Sequence, residues 1–325
     1  MSIGIIGAAG FLGSYLREAL DRDGKRYKAF DKNVSVAGIQ YLDVTSCSES
    51  SALNGCNVVI NLAAEHRDDI FPVSRYDEVN VDGARQVCNL ASSSGVNKII
   101  FTSSVAIYGF APPDTDETGE VNYYNHYGRT KFEAEGIYRA WQQEDPDARS
   151  LVIVRPTVIF GPGNRGNVYN LLNQIAKRQF IMFGDGNNAK SMAYVDNVAE
   201  FLMYCLAAPQ GVHVYNYIDK PDLTMNDLVK ITRATLFNKK GVGLRLPAFV
   251  GVAIGKVFDF LAGFTGKSFP VSGIRVKKFL ATTKFNSAVY ETCFSPRFTL
   301  KEGLERTLRY EFLESNKGRP IFYTE

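Results

Sequence analysis

Three glycines decide most of what this chain can become. Gly7, Gly10 and Gly13 follow a short apolar run, Ile3-Gly4-Ile5-Ile6, and open a periodic stretch that predicts a helix over Leu12–Leu20. A strand that turns on glycine into a helix N-terminus leaves free N–H groups and positive dipole charge at the turn. The spacing is GxxGxxG rather than GxGxxG, and an ordinary tight turn also uses glycines. Their place between strand and helix points to a dinucleotide pyrophosphate, with the backbone of Phe11 and Leu12 beside it.

The rest of the N-terminal half repeats that rhythm. Apolar runs at Tyr27–Phe30, Ile39–Tyr41, Val58–Asn61, Ile99–Thr102 and Leu151–Val154 predict strands, and Tyr76–Ala91 and Phe132–Trp141 predict helices. Alternating βα units imply an α/β fold with a doubly wound parallel sheet of Rossmann type. After Arg155-Pro156 the pattern loosens. A strand-helix piece at Ala193–Ala207 and a strand at Val214–Tyr217 are expected to return to the first sheet, and the chain beyond Thr224 reads as mostly helical. The expected organisation is a nucleotide-binding domain of residues 1–160 plus 190–218, and a smaller, mostly helical substrate lobe of residues 161–189 plus 219–325.

At 325 residues, 45% hydrophobic and 22% charged, the composition excludes a disordered chain, a collagen and a coiled coil. The five cysteines are odd in number and scattered without a CxxC pair, and there are three histidines. No metal site and reduced cytoplasmic thiols are expected. Neither a signal peptide nor a transmembrane run of about 18 apolar residues is visible. Charge is uneven: from Arg233 onward 16 Lys/Arg face 7 Asp/Glu, a net of +9, whereas the first 232 residues carry −6. An anionic partner for the C-terminal part follows. Nucleic acid is not expected, because no helix-turn-helix or RNA-binding aromatic motif accompanies the charge.

Asp31 closes the second strand, 24 residues after Gly7. A carboxylate there can accept both ribose hydroxyls and would repel a 2′-phosphate, which favours NAD over NADP, although the adjacent Lys32 pulls the other way. Asp43-Val44 is placed to meet the adenine or to cap a loop. The small residues of Leu62-Ala63-Ala64 let a cofactor lie against backbone. Thr102-Ser103-Ser104 ends the fifth strand, at the carboxyl edge where open α/β sheets bind ligands. Tyr127 and Lys131, four apart, share a helix face. A free phenol, pKa about 10, is a poor base at neutral pH. A nearby ammonium and a positive nicotinamide ring favour the phenolate.

These residues, together with Asn80-Val81-x-Gly83, Ser104-Val105-Ala106-Ile107-Tyr108-Gly109 and Arg155-Pro156-Thr157, resemble the extended short-chain dehydrogenase/reductase family over nearly the whole chain. The resemblance implies Tyr127 as acid/base, Lys131 as its electrostatic partner and ribose ligand, and Ser104, rather than Ser103, as the hydroxyl that orients the substrate. It also implies Asn80 near the site and the backbone of Pro156, Thr157 and Val158 against the nicotinamide carboxamide. Family dehydratases carry an Asp-Glu pair directly after the catalytic Thr, where this chain has Val105-Ala106. Side chains that cannot move protons disfavour dehydration and leave 4-epimerisation by reversible hydride transfer.

The segments Ala64–Asp69, Asn164–Asn170, Lys190–Asp196, Tyr215–Asp222 and Arg275–Phe279 are similar to a branch acting on an N-acetylated amino sugar carried by a polyprenyl diphosphate, in bacterial surface-polysaccharide assembly. A nucleotide-linked sugar is the close alternative; a sugar or steroid-type oxidoreductase and a non-enzymatic NAD-binding regulator are further ones. Arg165, Asn167, Lys190 and Arg275 are candidate diphosphate ligands or surface ion-pair partners. Glu65, His66 and Arg67 are candidate sugar contacts, His66 being as suited to a structural role. The apolar stretch at 248–264, with nine Lys/Arg and one acid across residues 239–284, suits a helix lying in an anionic membrane interface; a buried helix or dimer contact is the alternative. Surface helices such as Tyr76–Ala91 and Phe132–Trp141 suit a homodimer.

Overall fold

Alternate residues of five short strands face two different cores. The computed structural model describes residues 2–46, 51–67, 70–253, 280–316 and 318–324. In it β1 (Ile3–Ile6), β2 (Tyr27–Asp31), β3 (Ile39–Tyr41), β4 (Val58–Asn61), β5 (Lys98–Thr102) and β6 (Ser150–Pro156) form one parallel sheet. Ile5, Ile60, Ile100 and Val152 point to one face, where α1 (Phe11–Arg22) packs Leu16 and Leu20. Ile6, Val59, Ile99 and Ile153 point to the other, against Val87 and Leu90 of α3 (Gly83–Ser93) and Tyr138 and Trp141 of α4 (His126–Gln143). Both faces are covered, which is why these strands read as unbroken apolar runs. Each such aliphatic side chain contributes about 1.5–3 kcal/mol on burial.

The predicted helix over Tyr76–Ala91 is not one regular helix. A short turn, α2 (Ser74–Tyr76), passes through a π-helical stretch at Asp77–Asp82 before α3 begins. Inside that stretch the Asn80 amide donates to the Glu65 carbonyl at 2.9 Å and to Thr130 Oγ1 at 2.9 Å, and its oxygen accepts the Glu65 N–H at 2.8 Å. A 3.6-residue period carries no information about such a widened turn.

The chain after Pro156 corrects a second expectation. Strand β7 (Val158–Phe160) is followed by α5 (Asn167–Ala176), β8 (Met182–Phe183), β9 (Ala189–Tyr194) and α6 (Val195–Tyr204). Helix α6 does return to the first sheet, beside α1, through Val198, Phe201 and Leu202. Strand β9 does not. It lies between β7 and β11 (Asp219–Thr224) in a separate three-stranded sheet, while β10 (Val212–Tyr217) completes the seven-stranded one next to β6. The buried Asp219 carboxylate accepts the Tyr194 N–H at 2.6 Å and the Asn197 amide at 2.9 Å, tying β11 to the β9–α6 junction. The sequence of β11, Asp-Lys-Pro-Asp-Leu-Thr, carries no strand signal.

Beyond Thr224 the described residues hold α7 (Met225–Phe237), the two-residue β12 (Arg245–Leu246) beside β8, and α8 (Leu300–Phe312). Thr224 with Asp227, and Thr299 with Glu302, form reciprocal capping boxes that start α7 and α8. Leu228 and Val229 of α7, Leu304 and Leu308 of α8 and Leu172 and Ile175 of α5 make a core of their own with β9. The proposed interfacial helix at 248–264 falls mostly outside the described residues; 248–253 are helical, and Phe249 is 73% exposed. Among the described residues no helix is long and apolar enough to cross a membrane.

Candidate active site

A cleft of about 840 Å³ opens at the carboxyl edge of the main sheet, lined by the β1–α1 turn and the ends of β2, β4, β5 and β6. The turn is built on glycine out of necessity. A Cβ on Gly7 would stand 2.7 Å from the Ala63 nitrogen, and one on Gly13 would stand 2.3 Å from the Gly7 carbonyl oxygen. Small residues therefore let the turn, the helix and the Leu62-Ala63 segment close on one another. The N–H groups of Gly7 and Ala8 are taken by the Phe30 carbonyl, each at 3.0 Å. Gly10, at the N-cap of α1, is exposed, has no side-chain cap and is followed by no acid in the first turn. That leaves backbone donors of α1 facing the cleft.

Asp31 also lines the cleft. Its Oδ2 accepts the Ala9 N–H and its Oδ1 the Asn33 N–H, both at 2.9 Å. A carboxylate has about four acceptor positions, so capacity for two ribose hydroxyls remains. Asp43 and Val44 line the same end. Asp43 accepts from Thr45 N and Oγ1, and those bonds hold its carboxyl below the ordinary range despite desolvation. Ser103 lines the cleft with a buried hydroxyl that finds no partner among the described residues. Free helix N–H groups, a spare carboxylate and an orphaned hydroxyl along one groove fit the pyrophosphate, ribose and nicotinamide ends of NAD.

Ser104, Tyr127 and Lys131 line the same cleft. Ser104 caps a 3₁₀ turn (Val105–Tyr108), its Oγ accepting the Ala106 N–H at 3.1 Å. Asn125 caps α4 through the Gly128 N–H at 2.8 Å, which starts the helix carrying Tyr127 and Lys131. Tyr127 shows part of its ring to the cleft while its hydroxyl is enclosed, and burial pushes the phenol up to about 12, with a hydrogen bond to Ser104 acting the other way. Lys131 is 2% exposed and lies 4.5 Å over the Phe101 ring; burial pulls its ammonium down to about 7, opposed by the charge of Glu135. Desolvation thus disfavours each charge taken singly. A phenolate and an ammonium formed side by side relieve one another.

One turn beyond Lys131, Glu135 makes a bidentate pair with Arg155 of β6, at 2.9 and 2.6 Å, with both side chains buried. Arg155 also holds the Tyr108 hydroxyl at 2.6 Å, and Tyr108 donates to Asn216 at 2.9 Å. This network links α4, the 3₁₀ turn after Ser104 and two strands. It ties α4, which carries Tyr127 and Lys131, to the turn that Ser104 caps.

Most of the expected cofactor residues meet in the cleft: Gly7, Gly10, Phe11, Leu12, Gly13, Asp31, Lys32, Asp43, Val44, Leu62, Ala63, Ala64, Ser103, Pro156, Thr157 and Val158. His66 joins them at the rim. Asn80 does not line the cleft; its bonds to Glu65 and Thr130 make it a buttress beneath it. Glu65 and Arg67 also lie outside the lining. Of the two roles open to Arg165, the ion pair is the one present: its guanidinium pairs with Glu311 of α8, whose side chain is fully buried, and stacks 4.0 Å over the Tyr169 ring. A buried carboxylate demands that partner. Lys190 donates to the Ala281 carbonyl at 2.6 Å and Thr283 Oγ1 at 3.2 Å rather than lining the cleft, and Asn167, the first residue of α5, is not part of the lining. Arg275 lies outside the described residues.

The structure adds lining residues that sequence reasoning missed, Arg75, Tyr124, Thr283, Phe285 and the segment Ile321–Thr324, and brings in Asn164 from the segment Asn164–Asn170. None sits on a periodic element that faces the glycine turn in the sequence. Only the tertiary arrangement brings them there.

Residues 3–217 match the NAD dependent epimerase/dehydratase family. The chain is 46% identical, over 99% of its length and 98% of the relative's, to the N-acetyl-alpha-D-glucosaminyl-diphospho-ditrans,octacis-undecaprenol 4-epimerase of Escherichia coli O157:H7. It is 27% identical to the UDP-glucose 4-epimerase of Vibrio cholerae, over 81% of this chain and 79% of that one. Its fold is similar to the UDP-glucuronic acid 4-epimerase of Bacillus cereus in complex with NAD, with a TM-score of 0.72 and 19% identity over 95% of this chain and 98% of that one. With the glycine turn, the Asp31 carboxylate and the serine–tyrosine–lysine set lining one cleft, this chain is a member of the NAD dependent epimerase/dehydratase family.

Proposed function

We propose that the chain is an NAD-dependent 4-epimerase interconverting the N-acetylglucosaminyl and N-acetylgalactosaminyl forms of a diphospho-undecaprenol sugar, for bacterial surface-polysaccharide assembly. The observation that carries this reading is the convergence of Ser104, Tyr127 and Lys131 on one cleft in a chain 46% identical to such an enzyme. When bound, NAD supplies a hydride acceptor that can give the hydride back. Tyr127 takes the proton of the C4 hydroxyl and later returns it. Ser104 holds the same oxygen. Lys131 supports the phenolate from within the protein, where its charge is little screened. Val105 and Ala106 also line the cleft and carry no proton-transfer group, so water elimination is left without an acid or base at those positions.

The same reading extends to peripheral attachment at the cytoplasmic face of a membrane. Support comes from the lipid-linked sugar of the relative and from the basic, apolar stretch around 239–284.

Purified protein offered undecaprenyl-diphosphate-linked N-acetylglucosamine and, separately, UDP-N-acetylglucosamine should convert the lipid-linked sugar. Conversion of the UDP sugar alone would replace this reading with a soluble nucleotide-sugar epimerase. Incorporation of solvent deuterium at C4 would remove the hydride mechanism altogether.

A further inference from the structure

The segment Pro320–Thr324 follows α8 and lies against the loop after β7. The Phe322 N–H donates to the Gly163 carbonyl at 2.9 Å, and the Arg165 N–H donates to the Phe322 carbonyl at 2.8 Å. Thr324 Oγ1 donates to Asn164 Oδ1 at 2.7 Å. The Phe322 ring meets the Phe11 ring with centroids 5.7 Å apart, and Phe11 is the first residue of α1. Ile321, Phe322, Tyr323 and Thr324 all line the cleft. Space for the latch is reserved: a Cβ on Gly166 would stand 2.6 Å from Thr324 Oγ1 and 2.9 Å from Asn164 Oδ1.

We infer that Pro320–Thr324 is a wall of the cofactor end of the cleft, with Phe322 a cofactor-retaining residue. Its ring pins the first turn of α1, whose backbone donors face the pyrophosphate position, and its backbone bonds close the groove from the side of the second lobe. Preorganised donors and a closed wall slow ligand escape without adding a contact to the reacting atoms. The inference rests on reading the cleft as an NAD site. It fits an enzyme that returns its hydride within each cycle and so has no need to release the cofactor.

NAD bound per chain after desalting, and the rate at which bound NAD dissociates, are measured for the full chain, for Phe322→Ala, for Thr324→Val and for a chain ending at Arg319. Melting curves report folding, and the near-isosteric change Thr324→Val keeps the test open if larger changes unfold the protein. Phe322→Ala and the shortened chain should lose NAD about tenfold faster or more, and Thr324→Val a few-fold faster. Dissociation within about twofold of the full chain in all folded variants overturns the inference. Unchanged NAD retention with a raised KM for the sugar overturns it too, by moving the wall to the substrate. A full chain that binds no NAD overturns instead the reading of the cleft.

Discussion

Tyr127 and Lys131 are each held in surroundings that oppose their charged forms, and that opposition makes them testable one at a time. Tyr127→Phe removes the exchangeable proton and little volume. Turnover should fall by about 10²–10⁴-fold while bound NAD is unchanged, measured by coupled sugar assay and cofactor absorbance. Lys131→Met removes the cation that favours phenolate. The acid limb of kcat/KM should then move to higher pH by about one to three pH units. Stability responds in the opposite sense. The folded-state value of Lys131, about 7, lies below its ordinary 10.5, so its unfolded form binds more protons between those limits. The burden it places on folding is full below pH 7 and lifts as pH rises towards 10.5. Lys131→Met should therefore raise the melting temperature most at or below neutral pH, with the gain vanishing above about pH 10.5. A gain that grows with pH would contradict the desolvation argument.

Elements are placed by a few buried polar contacts rather than by apolar packing alone. The Glu135–Arg155 pair bridges α4 and β6 within the core. Glu135→Ala leaves a buried guanidinium unpaired and should cost about 3–5 kcal/mol in denaturant unfolding. Restoring an apolar pair, Glu135→Leu with Arg155→Met, should recover much of that stability. Activity should remain impaired, because the Tyr108 hydroxyl, in the turn that Ser104 caps, loses its bond from Arg155. Helix α1 makes a second case. Gly13→Ala should force the helix from the turn, because the added carbon would meet the Gly7 carbonyl at 2.3 Å, with loss of NAD binding visible by calorimetry.

For the whole molecule, charge is divided between the two ends of the chain. The excess of cations beyond Arg233 predicts association with anionic liposomes at low salt, lost as ionic strength shortens the screening length to about 8 Å at 0.15 M. Co-sedimentation indifferent to salt and lipid charge would count against a membrane-facing lobe. Asn164, Thr283, Phe285 and the Ile321–Thr324 segment, all beyond β6 in the chain, line the same cleft as the glycine turn.

Local chemistry determined the half of the protein that could be read directly. Strand periodicity fixed the parallel sheet, since both faces of each strand had to be apolar. The glycine turn, Asp31 and the spacing of Tyr127 and Lys131 marked residues that line one cleft, since each depends on neighbours one turn or one strand end away. Tertiary structure decided the rest. Arg165 and Lys190 have the side chains of phosphate ligands, yet Arg165 pairs with the buried Glu311 and Lys190 donates to the Ala281 carbonyl and the Thr283 hydroxyl. Phe322, by contrast, carries no catalytic signature, and reaches the cleft because backbone hydrogen bonds to Gly163 and Arg165 carry it across more than 150 positions of sequence. Which charge meets which partner depends on distances that only the folded chain sets.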